Sequence, residues 1–531
     1  MELNDFSESD SESENCIQWV EESDSPVSDF DENSCDTDDT SILISTPENI
    51  VSTICGYEKE TKSDDFNPKR KKLKLNERLS LQDDLNTEII HENWTKACSY
   101  FSDNVTLISD PFQLCVIKNF IDNPTILNAI RHEINSVKWN RRRLDLYEFL
   151  QTDDLVNIKM KYIHQLYEFL KNEVRSWISK ATGLPLTKIS ASCSAYTFGD
   201  YLLVHDDLQG DRCVAFILYL TGLDENNDEI WKPEFGGALQ LFGKDEFLQP
   251  NIDSMKNIFP QHNQFVFFQV KKDSYHQVQE VFSMNHSRIS INGWFHSDQI
   301  PLEEPPNLEP ETNGLFGSNC IHPKNEQISL EKWINPLFLK ETTCKNIQEH
   351  IEKFSEISLE QFFNESCLEN LLNLNSNTIS WKWIGPPNRR RYEIADESTL
   401  PDNLREFLDV FKSISMFELL KKYTELDLVP EGDMKPSMRF ELQRFSPGCY
   451  SLMSEKSWFN DCELDVILYI ECIDENNGQI MYVAREENEQ EALITLVPKS
   501  NTLNIVYRDE GTARIMPYLP HRTRNKQFYV L

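Results

Sequence analysis

The sequence predicts a mainly β protein with flanking helices, built as two tandem double-stranded β-helix (jelly-roll) barrels. Three observations support this fold class. Short segments with the period of β-strands follow a helical lead-in from Ser190 onward, and clusters of Gly, Asp and Asn separate them. The same order, helices and then strands, returns after residue 330. Short motifs also recur between the two halves at one fixed offset, which is typical of an internal duplication.

The first half opens with helices and continues with strands. Asn123-Pro124-Thr125 suits the start of a helix, and apolar residues spaced by three and four follow it from Ile126 to Ile134. A second, longer helix is predicted over 158–182. The predicted strands then cover 195–204, 214–220, 238–242, 264–270, 276–281 and 288–295.

The second half repeats this plan. Helices are predicted over 347–362 and 400–423, before a strand-rich region that runs from 440 to 531. Ile217-Leu218-Tyr219-Leu220 is echoed by Ile467-Leu468-Tyr469-Ile470, and Asp224-Glu225-Asn226-Asn227 by Asp474-Glu475-Asn476-Asn477, both at an offset of 250 residues. A shared offset in a shared order of elements predicts a duplicated barrel.

Composition divides the chain into four parts. Residues 1–80 form an acidic tail that is predicted to be disordered, because few large apolar residues are available for a core. The barrels are predicted over 81–300 and 331–531, with a linker rich in Pro and Glu at 301–330. Within the tail, Pro68-Lys69-Arg70-Lys71-Lys72-Leu73-Lys74 suits the acidic grooves of nuclear import receptors. We therefore expect the protein in the nucleus and the cytoplasm, although the basic run could also be a charge-balancing tether.

Charge and cysteine content narrow the possible partners. The net charge of −36 makes direct nucleic-acid binding unlikely, since phosphate contacts need clustered Lys and Arg. The same acidity suits a basic protein partner, or it serves solubility alone. The thirteen cysteines form no CxxC pair, which favours reduced thiols in the cytosol or nucleus over a zinc module. No apolar stretch reaches the ~20 residues of a membrane span, so no membrane association is expected.

Four residues in one order indicate a metal site. His205-Asp206-Asp207 ends a predicted strand, and residues i and i+2 of an extended chain face the same side. His276 stands before the last predicted strand, and Arg288 follows it after twelve residues. His296-Ser297-Asp298 has the same spacing, but only the proline-rich linker follows it.

Two histidines and one carboxylate occupy one face of an iron ion and leave positions open for a co-substrate and dioxygen. A co-substrate such as 2-oxoglutarate then needs a cation for its distal carboxylate, and a guanidinium binds that group bidentately. Strand alternation places Arg288 and Ser290 on one face, towards the barrel interior. Taken singly, His276 could be a structural histidine and Arg288 part of an ion pair at the rim.

The chain resembles a known family in five segments: Asp145-Leu146-Tyr147-Glu148-Phe149, Gln151-Thr152-Asp153-Asp154-Leu155, Tyr196 to Asp207, Val214 to Leu220, and Ser287 to His296. These segments resemble the eukaryotic ribosomal prolyl-3-hydroxylases, which are oxygenases with two tandem barrels. In that family only the first barrel is catalytic. The resemblance runs from about residue 81 to the C-terminus.

The resemblance implies a set of cofactors and a substrate. Fe(II) would be held by His205, Asp207 and His276, and 2-oxoglutarate by Arg288 together with Tyr196 and Tyr219. Strand alternation adds Ser290 as a further candidate for binding the co-substrate. Dioxygen would be the second co-substrate, and L-ascorbate would keep the iron reduced. The implied reaction is the 3-hydroxylation of one proline in the small-subunit ribosomal protein at the decoding centre, with links to translation termination and stress responses.

The second barrel departs from this pattern. In an alignment on Tyr201 with Tyr450 and on Asn263 with Asn501, the four site positions carry Ser454 for His205, Lys456 for Asp207, Arg514 for His276 and Lys526 for Arg288. A serine with two cations cannot hold Fe(II), so we expect a barrel without metal that mediates a homodimer or binds translation factors. Two other functions stay open: an oxygenase of another protein substrate, and a non-enzymatic double-barrel scaffold.

Overall fold

The computed structural model describes residues 78–82, 85–221, 231–299, 320–369, 378–429, 436–452, 463–470, 477–484, 492–509, 511–521 and 527–531. These residues divide into two compact units, one covering 78–143 and 147–299, the other covering 320–531 together with Leu144–Leu146. Nearly all of the acidic tail, its basic run and most of the linker lie outside the described residues, so the predicted domain bounds stay predictions. Across the described ranges, no helix combines the length and the hydropathy needed to cross a bilayer.

The first unit contains four helices and thirteen strands among its described residues. The helices are α1 (Thr87–Thr95), α2 (Pro124–Ile134), α3 (Lys161–Phe169) and α4 (Arg175–Thr182), with a π-helical segment (Leu170–Val174) between the last two. The strands are β1 (Tyr100–Phe101), β2 (Val105–Ile108), β3 (Leu114–Ile117), β4 (Asn140–Arg143), β5 (Tyr147–Gln151), β6 (Lys188–Tyr196), β7 (Tyr201–His205), β8 (Arg212–Tyr219), β9 (Leu239–Lys244), β10 (Pro250–Ile258), β11 (Gln264–Gln269), β12 (His276–Val278) and β13 (Arg288–His296).

One sheet runs through the whole unit and folds back on itself. Its strand order is β1-β2-β3-β11-β8-β13-β6-β5-β7-β12-β9-β10, with β4 paired to β5. Leu239 and Leu241 of β9 share a buried cluster with Tyr219 and Phe268, although β9 lies far from β8 and β11 in this order. The sheet therefore closes around an interior, as the jelly-roll prediction requires.

The helices cover the outer face of the same strands. Ile289 and Ile291 of β13 pack in the large cluster that also holds Ile130 of α2 and Ile178 of α4. Alternation along β13 then turns Arg288, Ser290 and Asn292 to the interior. The helix predicted from Asn123 is confirmed, because the Asn123 side chain accepts a hydrogen bond from the Ile126 N–H at 3.1 Å.

Two predictions for the first half were too coarse. The strand expected over 195–204 is two strands, β6 and β7, because Gly199 adopts a φ of 85° and the chain turns there. The Asp200 carboxylate accepts bonds from the N–H and the hydroxyl of Thr197, which holds the turn. The helix expected over 158–182 begins at Lys161 and contains the π-helical segment.

The second unit repeats the mixture of helices and strands. Its described helices are α5 (Glu341–Phe354), α6 (Glu365–Glu369), α7 (Asp402–Phe411) and α8 (Ile414–Thr424). Its described strands are β14 (Glu356–Glu360), β15 (Trp381–Ile384), β16 (Arg390–Ala395), β17 (Gln443–Phe445), β18 (Tyr450–Ser451), β19 (Glu463–Ile470), β20 (Ile480–Ala484), β21 (Ala492–Leu496), β22 (Thr502–Arg508), β23 (Thr512–Ile515) and β24 (Phe528–Val530).

The strand neighbours of the two units match. The order β14-β22-β19-β24-β17-β16 repeats β3-β11-β8-β13-β6-β5, and β21-β20-β23 repeats β10-β9-β12. Asn263 and Asn501 stand at equivalent turns with φ of 55° and 56°. Each side-chain amide accepts from the backbone N–H of one residue and donates to the carbonyl of the same residue, with both distances 2.9 Å. The partner of Asn263 is Ile121, and the partner of Asn501 is Phe363. The repeat predicted from sequence therefore appears in the structure as the same order of neighbouring strands in both units.

Both predicted helices of the second half differ from the helices in the structure. The helix expected over 347–362 stops at Phe354, where Ser355 has a φ of 60°, and β14 follows. Ile357 and Leu359 alternate with polar residues there and pair with β22, so the strand period replaces the helical one. The helix expected over 400–423 is two helices, because Ser413 caps α8 by accepting from the Met416 N–H.

Candidate active site

His205, Asp207 and His276 meet at one point in the first barrel. His205 ends β7 and pairs directly with His276 of β12 across the sheet. The Asp207 carboxylate lies 3.5 Å from His205 Nε2 and 3.3 Å from His276 Nε2. Among the described residues this is the one group of three acidic, His or Cys side chains whose ligand atoms all lie within 4.8 Å of one another.

The approach of Asp207 has a different cause from the one predicted. The strand ends at His205, and Asp207 has a φ of 64°. A left-handed turn therefore brings the carboxylate to the histidines, whereas strand alternation was expected to do so.

Backbone carbonyls fix the orientation of both imidazoles. His205 Nδ1 lies 2.8 Å from the carbonyl oxygen of Leu203, and His276 Nδ1 lies 2.8 Å from that of Ser274. A carbonyl can only accept, so each Nδ1 carries the proton and each neutral ring keeps its Nε2 lone pair for a ligand. This is the arrangement expected around histidines that bind a metal.

The three side chains perturb each other's protonation. Burial disfavours the charged form of Asp207, yet the two neighbouring histidines hold its pKa well below the usual range. Burial also opposes protonation of His205, but Asp207 raises the pKa of that imidazole above its usual value. Arg212 adds positive charge, with Nη1 3.9 Å from the Asp207 carboxylate. An anionic carboxylate facing two Nε2 atoms has the charge that a divalent cation requires.

Arg288 occupies the interior beside the tyrosines Tyr196 and Tyr219. Its guanidinium carbon lies 4.9 Å from the Tyr196 ring centre and 5.0 Å from that of Tyr219, and Nη2 donates to the Tyr219 hydroxyl at 3.3 Å. The side chain is 2% exposed, and its Nε hydrogen has no acceptor among the described residues. Those residues also supply no carboxylate to pair with the guanidinium, so the predicted alternative of a rim ion pair is wrong.

Gly237 makes room for this arginine. It has a φ of 68°, and a Cβ at that position would lie 3.3 Å from Arg288 Cδ and 3.2 Å from the Trp231 side chain. Ser290, two residues after Arg288, is buried on the same interior face and directly opposite Tyr219. The structure thus gathers Arg288, Tyr196, Tyr219 and Ser290, as the sequence analysis expected.

Two protein families and several named relatives match the sequence of this chain. The 2OG-Fe(II) oxygenase superfamily matches residues 191–296, which include all the candidate ligands, and the C-terminal domain family described as "oxoglutarate and iron-dependent oxygenase degradation" matches 325–531. Prolyl 3-hydroxylase sudestada1 of Drosophila melanogaster is 36% identical over 78% of this chain and 81% of its own length. Prolyl 3-hydroxylase OGFOD1 of Mus musculus is 32% identical, over 82% of this chain and 89% of its own.

The chain belongs to the prolyl 3-hydroxylase family of 2-oxoglutarate- and iron(II)-dependent oxygenases. Among solved structures, a Pseudomonas putida prolyl-4-hydroxylase is 19% identical and covers 34% of this oxygenase and 91% of its own chain, with a TM-score of 0.28.

The residues of this oxygenase fit the family's metal and co-substrate. His205 Nε2, His276 Nε2 and the Asp207 carboxylate would hold Fe(II), since their other ring nitrogens are already engaged. The unpartnered Arg288 Nε and the neighbouring Nη2 would bind the distal carboxylate of 2-oxoglutarate. Iron with this co-substrate and dioxygen supplies the oxidising power for C–H hydroxylation. The chain itself would supply the ligands, their orientation and a buried interior.

The second barrel fills the equivalent positions with its own side chains. Arg514 stands opposite Tyr482 in the strand register, as His276 stands opposite Leu241. Arg514 Nη1 lies 3.5 Å from the Asp465 carboxylate. Tyr482 donates to the same carboxylate at 2.8 Å. The expectation of Arg514 at the His276 position is confirmed. Ser454 and Lys456 lie outside the described residues, so their assignment stays a prediction.

The alignment of Lys526 with Arg288 was wrong. Strand register pairs Val530 with Tyr469, as Ser290 pairs with Tyr219, so Phe528 takes the place of Arg288. The Phe528 ring stacks on Phe445 with 5.5 Å between ring centres. Lys526 itself is outside the described residues. The two-residue error arose because few residues anchor the alignment after Asn501.

The second HxD sequence has a structural role. His296 Nδ1 bonds the Asp211 carboxylate at 2.6 Å, and its Nε2 lies 2.8 Å from the Ser190 hydroxyl. Asp298 pairs instead with Lys188 at 2.7 Å.

Sequence reasoning missed three contributors: Gly237, Ser274, whose carbonyl orients His276, and Arg212, which lies over the Trp294 ring at 3.7 Å. The φ of Gly237 and the contacts of the other two arise in the folded chain, and no local motif marks them.

Proposed function

We propose that this oxygenase hydroxylates C3 of one proline in the small-subunit ribosomal protein at the decoding centre. The observation that carries the proposal is the His205–Asp207–His276 group together with a buried Arg288 whose Nε has no acceptor among the described residues. The chain's relatives are named prolyl 3-hydroxylases. The net charge of −36 supports a basic protein as substrate, because opposite charge accelerates encounter. We further propose that the modification affects translation termination and fidelity, and the response to stress.

The test uses purified small ribosomal subunits, Fe(II) and 2-oxoglutarate. The proposal expects a mass gain of one oxygen on a single proline-containing peptide, and amino-acid analysis against hydroxyproline standards should assign the oxygen to C3. Asp207→Ala protein serves as the inactive control. Oxygen on C4 would contradict the position of hydroxylation, and no mass gain on the ribosomal protein would contradict this substrate. Either result would leave the oxygenase class intact.

L-ascorbate is proposed to sustain turnover by returning oxidised iron to Fe(II). Repeated turnover with a peptide substrate should decline without ascorbate and recover when it is added. If turnover proceeds at the same rate with and without ascorbate, the proposed role of ascorbate is contradicted.

The second barrel is proposed to bind a partner, either another copy of the chain or translation factors. Support comes from its retained topology and from the internal residues that occupy the metal and co-substrate positions. Sedimentation of the purified protein and of the first barrel's chain segment tests the homodimer. If both are monomers, the translation factors are the remaining partners, to be sought by crosslinking in cells.

A distribution between nucleus and cytoplasm is proposed from the basic run at 69–72. Replacing these four residues by alanine should shift the protein towards the cytoplasm. Catalysis by the purified variant should stay unchanged, because the run lies far in sequence from every candidate site residue. Undiminished nuclear signal in that variant would contradict the role of the run.

A further inference from the structure

A basic segment lies on the first barrel of this acidic chain. Residues 138–143 carry four cations, Lys138, Arg141, Arg142 and Arg143, and no acidic residue, although the whole chain has a net charge of −36. The three arginines belong to β4, which pairs with β5 alone among the described strands and so has a free edge. A chain segment that lies along this edge can reach side chains on both faces of the strand.

Three of the four cations are available to a partner. Arg141 is engaged, because its guanidinium binds two buried carboxylates at 2.5 to 3.0 Å. Arg143 is 59% exposed, and its Nε lies 3.8 Å from Glu148, one of those two carboxylates. Lys138 and Arg142 are exposed, and neither forms an ion pair with another described residue. We call Lys138, Arg142 and Arg143 the exposed cations.

The same sequence in the second barrel is not exposed in this way. Asn388-Arg389-Arg390-Arg391 repeats Asn140-Arg141-Arg142-Arg143 residue for residue. Arg390 is 6% exposed and donates to a backbone carbonyl at 2.8 Å. Arg391 lies over a tryptophan ring, 4.1 Å from the ring centre, and also donates to a backbone carbonyl. The exposure of the first run therefore comes from its place on β4 and not from the sequence of the run.

The chain also carries a segment of opposite charge. Residues 1–58 contain seventeen Asp and Glu and no Lys or Arg, and we call them the acidic segment. Carboxylates bind guanidinium and ammonium groups through charge-assisted hydrogen bonds. The protein substrate proposed above is basic, so the exposed cations would repel it. Charge complementarity therefore favours the acidic segment as the occupant of this surface.

The acidic segment can reach the exposed cations. The Asn123 amide donates to the carbonyl of Arg78, the first described residue, at 3.2 Å, so the described chain begins beside the start of α2. Helix α2 has 11 residues and spans ~16 Å, and the chain from Ile134 to Lys138 adds at most ~14 Å. Residues 59–77, which join the acidic segment to Arg78, can extend to ~65 Å. The tether therefore exceeds the distance to be covered.

We propose that the acidic segment binds along the free edge of β4, with its carboxylates paired to the exposed cations. Each pair contributes little, since an exposed ion pair changes an equilibrium by only about 1.4- to 5-fold. Tethering offsets this weakness, because a segment of the same chain has an effective concentration on the order of millimolar. Arg142 stands opposite Phe149, whose ring stacks on Tyr196 at 4.7 Å. Strand β5 thus separates the bound segment from the candidate co-substrate site. The inference does not depend on the identity of the protein substrate.

The experiment couples neighbouring carboxylates and amines in the full-length protein. A water-soluble carbodiimide joins a carboxylate to a lysine amine where the two are in contact, and mass spectrometry identifies the joined peptides. We expect Lys138 to be joined to a carboxylate of the acidic segment. Lys96, whose Nζ lies 2.6 Å from Glu92, is the internal control that should couple in every sample. Lys345 is 72% exposed, and its coupling to the acidic segment gives the lower yield of chance encounters.

Substitutions then test the charges that hold the segment. The double variant Arg142→Gln, Arg143→Gln keeps Lys138 as the reporter, and the loss of two exposed pairs should lower its yield about 2- to 25-fold. Arg391→Gln, from the repeated sequence of the second barrel, is the matched control and should leave that yield unchanged. All yields are taken relative to the internal control. If the double variant does not fold, Arg142→Gln alone should still lower the yield about 1.4- to 5-fold.

Several results would overturn the proposal. One is the absence of a product between Lys138 and the acidic segment while the internal control couples normally. Another is an equal yield in the double variant and the parent, or an equal yield at Lys345, since either would show chance encounters only. A product that joins isotopically light and heavy copies in a mixture would place the segment on a second copy instead. Binding of a labelled RNA oligonucleotide that the double variant loses, without the coupled product, would assign the surface to nucleic acid.

Discussion

Arg288→Lys should separate co-substrate binding from metal binding. The guanidinium lies between two tyrosine rings at 4.9 and 5.0 Å, and its Nε and Nη2 atoms are available to two carboxylate oxygens. Lysine keeps the charge but cannot form two parallel N–H bonds. Losing one hydrogen bond to a charged group costs about 1.5–3 kcal/mol, so 2-oxoglutarate should bind about 10- to 150-fold more weakly.

The same substitution should have little effect on the other two measurable quantities. Metal affinity should hold, because Arg288 is not one of the three ligands. The free energy of unfolding without co-substrate should fall by no more than about 1 kcal/mol, since one hydrogen bond of 3.3 Å is lost. Calorimetry with Mn(II)-loaded protein gives both affinities, and urea unfolding of the metal-free protein gives the stability.

Arg444→Lys is the matched control from the second barrel. Arg444 forms two parallel bonds to the Glu393 carboxylate, at 2.8 and 2.7 Å, so it is a structural bidentate arginine. Its substitution should lower stability and leave 2-oxoglutarate affinity unchanged. If Arg288→Lys behaved like this control, with lower stability and unaltered affinity, the assignment of Arg288 to the co-substrate would be refuted.

Three further predictions follow from the described contacts. Asp207→Ala should abolish Mn(II) binding in calorimetry and keep the far-UV circular dichroism spectrum, and tight metal binding by that variant would contradict the ligand set. Asn263→Ala and Asn501→Ala should each lower the free energy of unfolding by about 2–4 kcal/mol, because each loses two backbone hydrogen bonds and a residue suited to positive φ; equal urea midpoints for variant and parent would disprove this. Burial, and to a smaller extent the charge of Arg131, lowers the pKa of His262 from 6.5 to about 4. As the pH falls, His262 therefore binds a proton in the unfolded chain before it does so in the folded chain. The free energy of unfolding should therefore be at its full value above pH 6.5 and fall towards pH 4, with a loss of about 2 kcal/mol at pH 5. In urea unfolding, His262→Gln should lose about 2 kcal/mol less than the parent between neutral pH and pH 5.

The sequence by itself was sufficient to predict the fold class, the repeat and the candidate ligands that the structure brings together. Metal ligation and carboxylate binding need particular side chains, so His205, Asp207 and His276 as candidate ligands, and Arg288 as a candidate cation for the co-substrate, were recognisable from type and order alone. Strand alternation also placed Ser290 correctly on the face of Arg288, because a period of two depends only on local backbone geometry.

Other features depended on contacts between distant segments. The left-handed turn at Asp207, the carbonyls that fix the two imidazoles and the space left by Gly237 have no local signature. Strand register likewise comes from pairing, which is why Phe528 was missed at the Arg288 position.

The row of directly opposed residues Ser194, Ser290, Tyr219 and Gln264 shows the division most clearly. Its members lie on four strands, and Ser194 and Ser290 are 96 residues apart in the chain. Each serine or glutamine alone is an ordinary residue of a β-strand. Only antiparallel pairing brings Ser194, Ser290, Tyr219 and Gln264 into line, and only closure of the barrel removes water from them. The sequence determined which chemistry is available, because that depends on residue type. The tertiary structure decided which of these groups meet and which remain unpaired, because that depends on register and burial.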